Sequence, residues 1–334
     1  MRSTRATENA LRRLFLLSCL TLATQAGLRP AEARSRQAET AASSCVSPEM
    51  ARMIVQERDG VRVDPGRDSE NDTTAVRAYS RGIIATKAPE TERTMAEAHK
   101  WFQKAARQGY APAEVNLAVL ALAGWGTRPN AGEALHWLHA AAEQGYAPAL
   151  FDLGIVYLEG CGVRRDYVEA FRFFEQGARA GDSAAQMNLG YLYDQGWGVT
   201  QNRAEAAKWY RRAAESGEAR AQYNLGDLYL RGEGVPHDEA AAFAWFQKAA
   251  LGGHAEARIM LGSMYAAGRG TATDFAAAYM WLTLASMQGD SRAKAPLDAL
   301  RSQMTSAQVT EAAGRARSLA AKAPQRQLRQ SLFH

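Results

Sequence analysis

The sequence predicts an all-α fold: an α-solenoid of stacked two-helix units closed by C-terminal capping helices. Three observations carry this. Glycine recurs at 109, 145, 181, 217, 253 and 289, each 36 residues after the last, and a fixed period of roughly 20–50 residues marks a repeat architecture. Within one period, Ala149, Leu153 and Tyr157 fall on one helical face, and Ala170, Phe173, Phe174, Gly177 and Ala178 on the face of a second helix. Between the two lies a Gly-x-Gly turn, at 124/126, 160/162, 196/198, 232/234 and 268/270, which stops one helix and permits positive φ before the next. No single pair of short helices buries such a stripe alone, so the units stack. The 334 residues would otherwise suggest two domains of about 150 each; the period replaces them with one array.

From the N-terminus, Arg2, Arg5, Arg12 and Arg13 precede an apolar run, Leu14 to Ala23. That run is too short to span a bilayer, which takes about 20 residues. Residues 1–33 therefore read as a cleaved signal peptide, cut after Ala33 or Ala26; Leu16-Leu17-Ser18-Cys19 weakly matches a lipoprotein site. Residues 34–73 read as a linker with a short helix at Pro48–Glu57. The array is placed at 74–289, with a degenerate first helix over Thr74 to Ala88. Residues 290–322 read as capping helices: Ala293 and Leu297 keep the register without turn glycines, and Thr305-Ser306-Ala307-Gln308 has capping-box spacing. Residues 323–334 read as a tail.

Composition excludes several classes. The chain is 47% apolar and 22% charged, outside the ranges of disordered and polytopic membrane proteins. Three cysteines exclude a disulfide-dense scaffold. The formal charge of +5 owes much to residues 1–33, whose five arginines and two glutamates leave +2 for the rest. Without a basic stripe, nucleic acid is not an expected partner.

In each unit, Trp101, Trp137, Phe173, Trp209, Trp245 and Trp281 form one column, taken to fill the space between layers, and Leu117, Leu153, Leu189, Leu225 and Leu261 another. The pattern A-x-x-x-L-G-x-x-Y-x-x-G-x-G-V, then A-x-x-W/F-x-x-x-A-A-x-x-G, resembles the Sel1-like repeat, a relative of the tetratricopeptide repeat. The best copies are Ala185 to Gly217 and Ala221 to Gly253; Ala118, Ala121, Thr127 and Thr271 depart from it. The resemblance implies a right-handed solenoid whose first helices line a concave groove, and roles in envelope assembly or in repressing sensor kinases. Carried over by position, one groove column is Val115, Phe151, Met187, Tyr223 and Ile259. The next two are Asn116, Asp152, Asn188, Asn224, Met260 and Val119, Ile155, Tyr191, Asp227, Ser263. Asparagine can donate to and accept from an extended peptide backbone, and tyrosine is a common anchor; the asparagines could equally brace neighbouring units. Trp125 and Trp197, in the Gly-x-Gly turns, either meet a partner or fold back.

A catalytic centre is not visible. His136 and His139 share a helix face with Glu133, but no metal-binding motif accompanies them, and neither metal nor cofactor is expected. Ser291 and Lys294 match the S-x-x-K spacing of serine acyl enzymes without the companion motifs. Cys45 and Cys161 either pair, pinning the N-terminal segment to the array, or remain free thiols. The leading expectation is a non-enzymatic, periplasmic or secreted scaffold or regulator, monomeric and without a transmembrane segment once mature. It would bind a peptide or helix of an envelope protein through Phe151, Asn188, Tyr191, Tyr223, Asn224, Asp227, Trp125 and Trp197. The alternative is a cell-wall-directed hydrolase or penicillin-interacting protein using Ser291 and Lys294.

Overall fold

Alanine at every fourth or so position and a glycine at each end set the helix length, and the computed structural model shows the result. It describes residues 74–87, 92–124 and 128–322. Among them are α1 (Thr74–Lys87), α2 (Glu92–Ala106), α3 (Ala111–Ala123), α4 (Ala131–Glu143), α5 (Ala147–Glu159), α6 (Tyr167–Arg179) and α7 (Ser183–Gln195). There follow α8 (Arg203–Glu215), α9 (Ala219–Arg231), α10 (Glu239–Leu251), α11 (Ala255–Ala267), α12 (Phe275–Met287), a 3₁₀ turn (Ser291–Ala293), α13 (Lys294–Arg301) and α14 (Ser306–Lys322). No strand occurs among the described residues. Odd-numbered helices from α1 to α11 are the first helices of their units and even-numbered ones the second; each packs on its sequence neighbours, giving an all-α solenoid.

The ends of each helix follow from single residues. Second helices are capped by Asn130, Asp166, Asn202, Asp238 and Asp274, whose side chains accept from backbone N–H groups of the first turn. The backbone N–H of these same caps donates back to a first-helix carbonyl, as Asp166 does to Tyr157 at 2.9 Å and Asn202 to Tyr193 at 2.8 Å, which closes the turn. At the first turn glycine, Gly196 adopts φ 72° and its N–H returns to the Leu192 carbonyl. At α14, Thr305 and Gln308 exchange hydrogen bonds, with Thr305 N–H to Gln308 Oε1 at 2.9 Å and Gln308 N–H to Thr305 Oγ1 at 3.3 Å. That is the capping box its spacing predicts.

Inside a unit, helix meets helix through a glycine lying under a large side chain. Gly82, Gly154, Gly190, Gly226 and Gly262 sit beneath Phe102, Phe174, Tyr210, Phe246 and Leu282. A Cβ would stand 2.7 Å from the Tyr210 ring at Gly190 and 2.6 Å from Leu282 at Gly262, closer than packed carbon atoms come. This column, one residue after the tryptophan column, supplies the deep core. Where the glycine is replaced by Ala118, the residue opposite is Leu138, and both belong to one buried cluster. The tryptophan column bridges layers. Trp137 packs against the clusters of two successive units, while Trp209 and Trp245 pack against the cluster of the unit before their own. Basic groups cover the outer faces of several of these rings: Arg212 lies 4.5 Å from the Trp209 centroid and Lys248 4.0 Å from that of Trp245.

A further column ties each first helix to the end of the preceding second helix. Gln186 Nε2 donates to the Ala178 carbonyl at 3.2 Å, Gln222 Nε2 to Ala214 at 3.0 Å and Arg258 Nε to Ala250 at 3.2 Å, each a second bond to a carbonyl that also accepts from the glycine three residues on. Glu114 is the exception: it is buried and accepts from Gln144 Nε2 at 2.9 Å. Burial holds its carboxyl above the ordinary 4.5, against the pull of the Gln144 bond and of His136.

Two outcomes follow. Gly154→Ala gains about 1 kcal/mol of helix propensity but overpacks Phe174 by about 1–3 kcal/mol, so a net loss is expected in urea unfolding. Phe174→Leu should be tolerated better in that background than in the wild type, as the Ala118–Leu138 pair anticipates, and additive effects would contradict the contact. For Glu114, a raised carboxyl means the folded chain holds the proton more tightly than the unfolded chain. Its charge therefore costs stability above the raised value, and the cost vanishes below 4.5. Glu114→Gln should raise the urea midpoint at neutral pH and lose that advantage on acidification through this range; an advantage that grows on acidification would contradict it.

Candidate functional site

The face left after packing is that of the first helices. On α7 and α9 the residues left half-buried include Tyr191 and Asp194 on α7, and Arg220, Tyr223, Asn224 and Asp227 on α9; Tyr223 also tilts onto Phe246 of α10 at 5.5 Å. Tyr223 lies flat on His254 of the next unit, with ring centroids 4.5 Å apart and an interplanar angle of 17°. Asp227 accepts from Arg231 Nε at 3.0 Å. Burial lifts its carboxyl above the ordinary value although Arg231 pulls the other way, and Glu233 and Asp194 add to the lift.

Two positions expected in the groove are corrected. Phe151 is only 7% exposed and packs on Phe174 at 5.9 Å, the contact that Tyr223 makes with Phe246 at 5.5 Å further along the same column. Asn188 is 9% exposed and its Nδ2 donates to the Ala184 carbonyl of its own helix at 2.9 Å, so its amide is spent within α7. Bracing between units is seen at Asn116, whose Nδ2 donates to the Tyr79 hydroxyl at 3.4 Å. Asn224 remains half-buried beside the Tyr210 hydroxyl. Trp125 and Cys45 lie outside the described residues. Cys161 is 2% exposed and disulfide-bonded.

Trp197 folds back, onto the preceding unit as well as its own. It stacks on Tyr167 at 4.9 Å and 25° and meets Tyr191 edge-on at 5.4 Å and 89°. The contact repeats with different chemistry. In three of the turns the middle residue faces the first residue of the preceding second helix, 30 positions earlier: Trp197 on Tyr167, Glu233 on Arg203 Nε at 3.2 Å, Arg269 Nη2 on Glu239 at 2.6 Å. The second turn glycine permits this approach, since a Cβ at Gly198, Gly234 or Gly270 would run into the backbone of Tyr167, Arg203 or Glu239. The sequence carried the signal as paired columns, Trp/Tyr, Glu/Arg and Arg/Glu.

The catalytic candidates do not assemble. Ser291 and Lys294 are both exposed, and no described hydrogen bond joins their side chains. His136 lies edge-on to Trp137 and His139 leans on Phe173. Among the described residues no group of three His, Cys, Asp or Glu could hold a metal ion, and no helix is long and apolar enough to cross a membrane.

Stacked two-helix units with an open first-helix face define an α-solenoid of the protein-interaction class. Residues 92–110, 111–146, 147–182, 183–218, 219–254 and 255–290 match the Sel1 repeat, and the chain belongs to that family. A Sel1 repeat protein from Oxalobacter formigenes is similar at 32% identity and a TM-score of 0.59, covering 64% of this chain and 88% of the other. A protective antigen of uropathogenic Escherichia coli displaying an SLR fold is similar at 23% identity and a TM-score of 0.49 over 91% and 72% of the two chains. An immunity protein from Pseudomonas aeruginosa is similar at 21% identity and 0.44 over 76% and 84%. Comparison with curated proteins found no match.

The turn contacts make a direct prediction. Both partners of the Glu233–Arg203 pair are more than a third exposed, so Glu233→Arg should cost no more than about 1 kcal/mol. Adding Arg203→Glu should cost less than it does alone, although it also gives up the Arg203–Asp194 pair at 3.3 Å, and this coupling should shrink in high salt. A double-mutant cycle by chemical unfolding measures the coupling, and zero coupling at low salt would remove the pair from the junction.

Proposed function

We propose that this protein is a periplasmic or secreted scaffold or regulator, monomeric and non-enzymatic, that captures a peptide or helix of an envelope protein on its first-helix face. The observation that carries the reading is the pair of tyrosines, Tyr191 and Tyr223, on successive first helices, each half-buried with burial as the main influence on its hydroxyl. A ring already held by a neighbour gives up little freedom on binding, which favours it as an anchor. Two features support export. The arginine-rich start and short apolar run of residues 1–33 have the form of a signal peptide, and the disulfide at Cys161 suits an oxidising compartment.

Placing a photo-crosslinking amino acid at Gln195, exposed at the end of α7, should yield a discrete adduct with an envelope protein in native cells. The Tyr191→Ala, Tyr223→Ala double variant should lower its yield at least about tenfold, as the loss of two anchors implies; wild-type yield from the double variant overturns the assignment. Fractionation with N-terminal sequencing should find the chain outside the cytoplasm, starting after Ala26 or Ala33. A cytoplasmic chain still carrying residues 1–33 overturns export.

A further inference from the structure

Resting on the first-helix face as the binding face, we propose that its partner segment is basic: an extended peptide whose Lys or Arg side chains meet the carboxylates between α5 and α9. No lysine lies on α3, α5, α7, α9 or α11. Around Tyr191 and Asp227 the acids outnumber the bases. Tyr191 feels Asp194 and Glu159 alongside Arg220; Asp227 feels Glu233 and Asp194 alongside Arg231; Arg220 is shared with Glu218, which also feels Asp182. Arg203 is divided between Asp194 at 3.3 Å and Glu233 at 3.2 Å. Six carboxylates thus face four bases, Arg165, Arg203, Arg220 and Arg231. Beside them Tyr191 and Trp197 meet at 89°, two walls of an aromatic corner of the kind that accepts a guanidinium or ammonium group. Arg165 already lies 6.0 Å from the Tyr167 ring stacked behind Trp197.

A second, independent observation points into the same place. At the deep-core position every other unit has phenylalanine or leucine: Phe102, Leu138, Phe174, Phe246 and Leu282. This unit alone has a hydroxyl, on Tyr210, which is 0% exposed and whose oxygen has no hydrogen-bond partner. The groups around that oxygen, Asp194, Tyr191, Asn224 and Arg220, all belong to the first-helix face. A buried hydroxyl without a partner costs about 1–3 kcal/mol that phenylalanine would avoid. Burial and the Asp194 charge keep it protonated, while the Asn224 amide beside it pulls the other way, as a group offering an N–H to the phenol oxygen does. Tyr210 is therefore a positioning residue: its buried oxygen is the acceptor on which the Asn224 amide settles when that amide meets the backbone of the bound segment.

The test uses the full-length protein and three synthetic peptides that differ only in whether their charged positions are arginine, glutamate or glutamine, with binding read by fluorescence anisotropy. The arginine peptide should bind at least about tenfold more tightly than the glutamate one and weaken as salt shortens the Debye length below about 10 Å. Asp194→Asn and Asp227→Asn should each weaken it several-fold. Tyr210→Phe should weaken it several-fold while leaving the thermal midpoint unchanged or higher, which a purely packing role for the hydroxyl would not produce. Equal binding of the three peptides, no binding by the arginine peptide, or unchanged affinity in the aspartate variants overturns the proposal. A Gln195 adduct that survives the aspartate substitutions leaves the binding face standing and removes only its preference for basic segments; loss of tyrosine dependence in that adduct removes the face itself.

Discussion

The contact on which the array depends is a glycine on each first helix seated under a large side chain of its partner helix. At Gly154, Gly190 and Gly226 the ring above leaves no space for a methyl group, so the two helices approach more closely than alanine would allow. Alanine completes the arrangement: Ala149, Ala185, Ala221 and Ala257 on the first helices and Ala170, Ala206, Ala242 and Ala278 on the second are wholly buried. Close approach lets helices of only 13 residues find enough contact to persist, which short helices do not do alone in water. The variation follows the same rule, since the unit with Ala118 has Leu138 where the others have a ring or, in the last, Leu282 above Gly262.

Stacking units onto one another draws on a different set of residues. The tryptophans reach into the preceding unit's cluster, the glutamine column bonds carbonyls at the end of the preceding helix, and the turn residue meets the start of that helix. Each contact joins only adjacent units, as expected of a quasi-one-dimensional fold. The first-helix face takes part only at its margins, through Tyr191 on Trp197, Tyr223 on His254 and Asp194 on Arg203.

Much of this architecture was legible in the sequence because period and identity are one-dimensional properties. Glycine spacing located the turns, and the Thr305–Gln308 spacing located the last helix. Direction was not legible. Trp209 and Tyr210 are adjacent aromatic residues, yet one bridges layers and the other fills the centre of its unit, and only the glycine opposite distinguishes them. Phe151 and Tyr223 share a column and both tilt onto the core ring 23 residues on, Phe174 and Phe246, yet Tyr223 also stacks on His254 and stays half-buried. The fate of Trp197 was written in the sequence as a pairing with Tyr167, a relation between columns rather than within one.

That pairing has a consequence for how such an array can change. Tandem repeats lengthen and shorten by unequal crossing-over, which removes or copies whole periods. Here the junctions are not interchangeable. Losing residues 219–254 would set Arg269 against Arg203, and copying them would set one Glu233 against Glu239. Either event places like charges at a site built for opposite ones. Each unit in effect carries an address for its neighbour, and the number and order of units are inherited together.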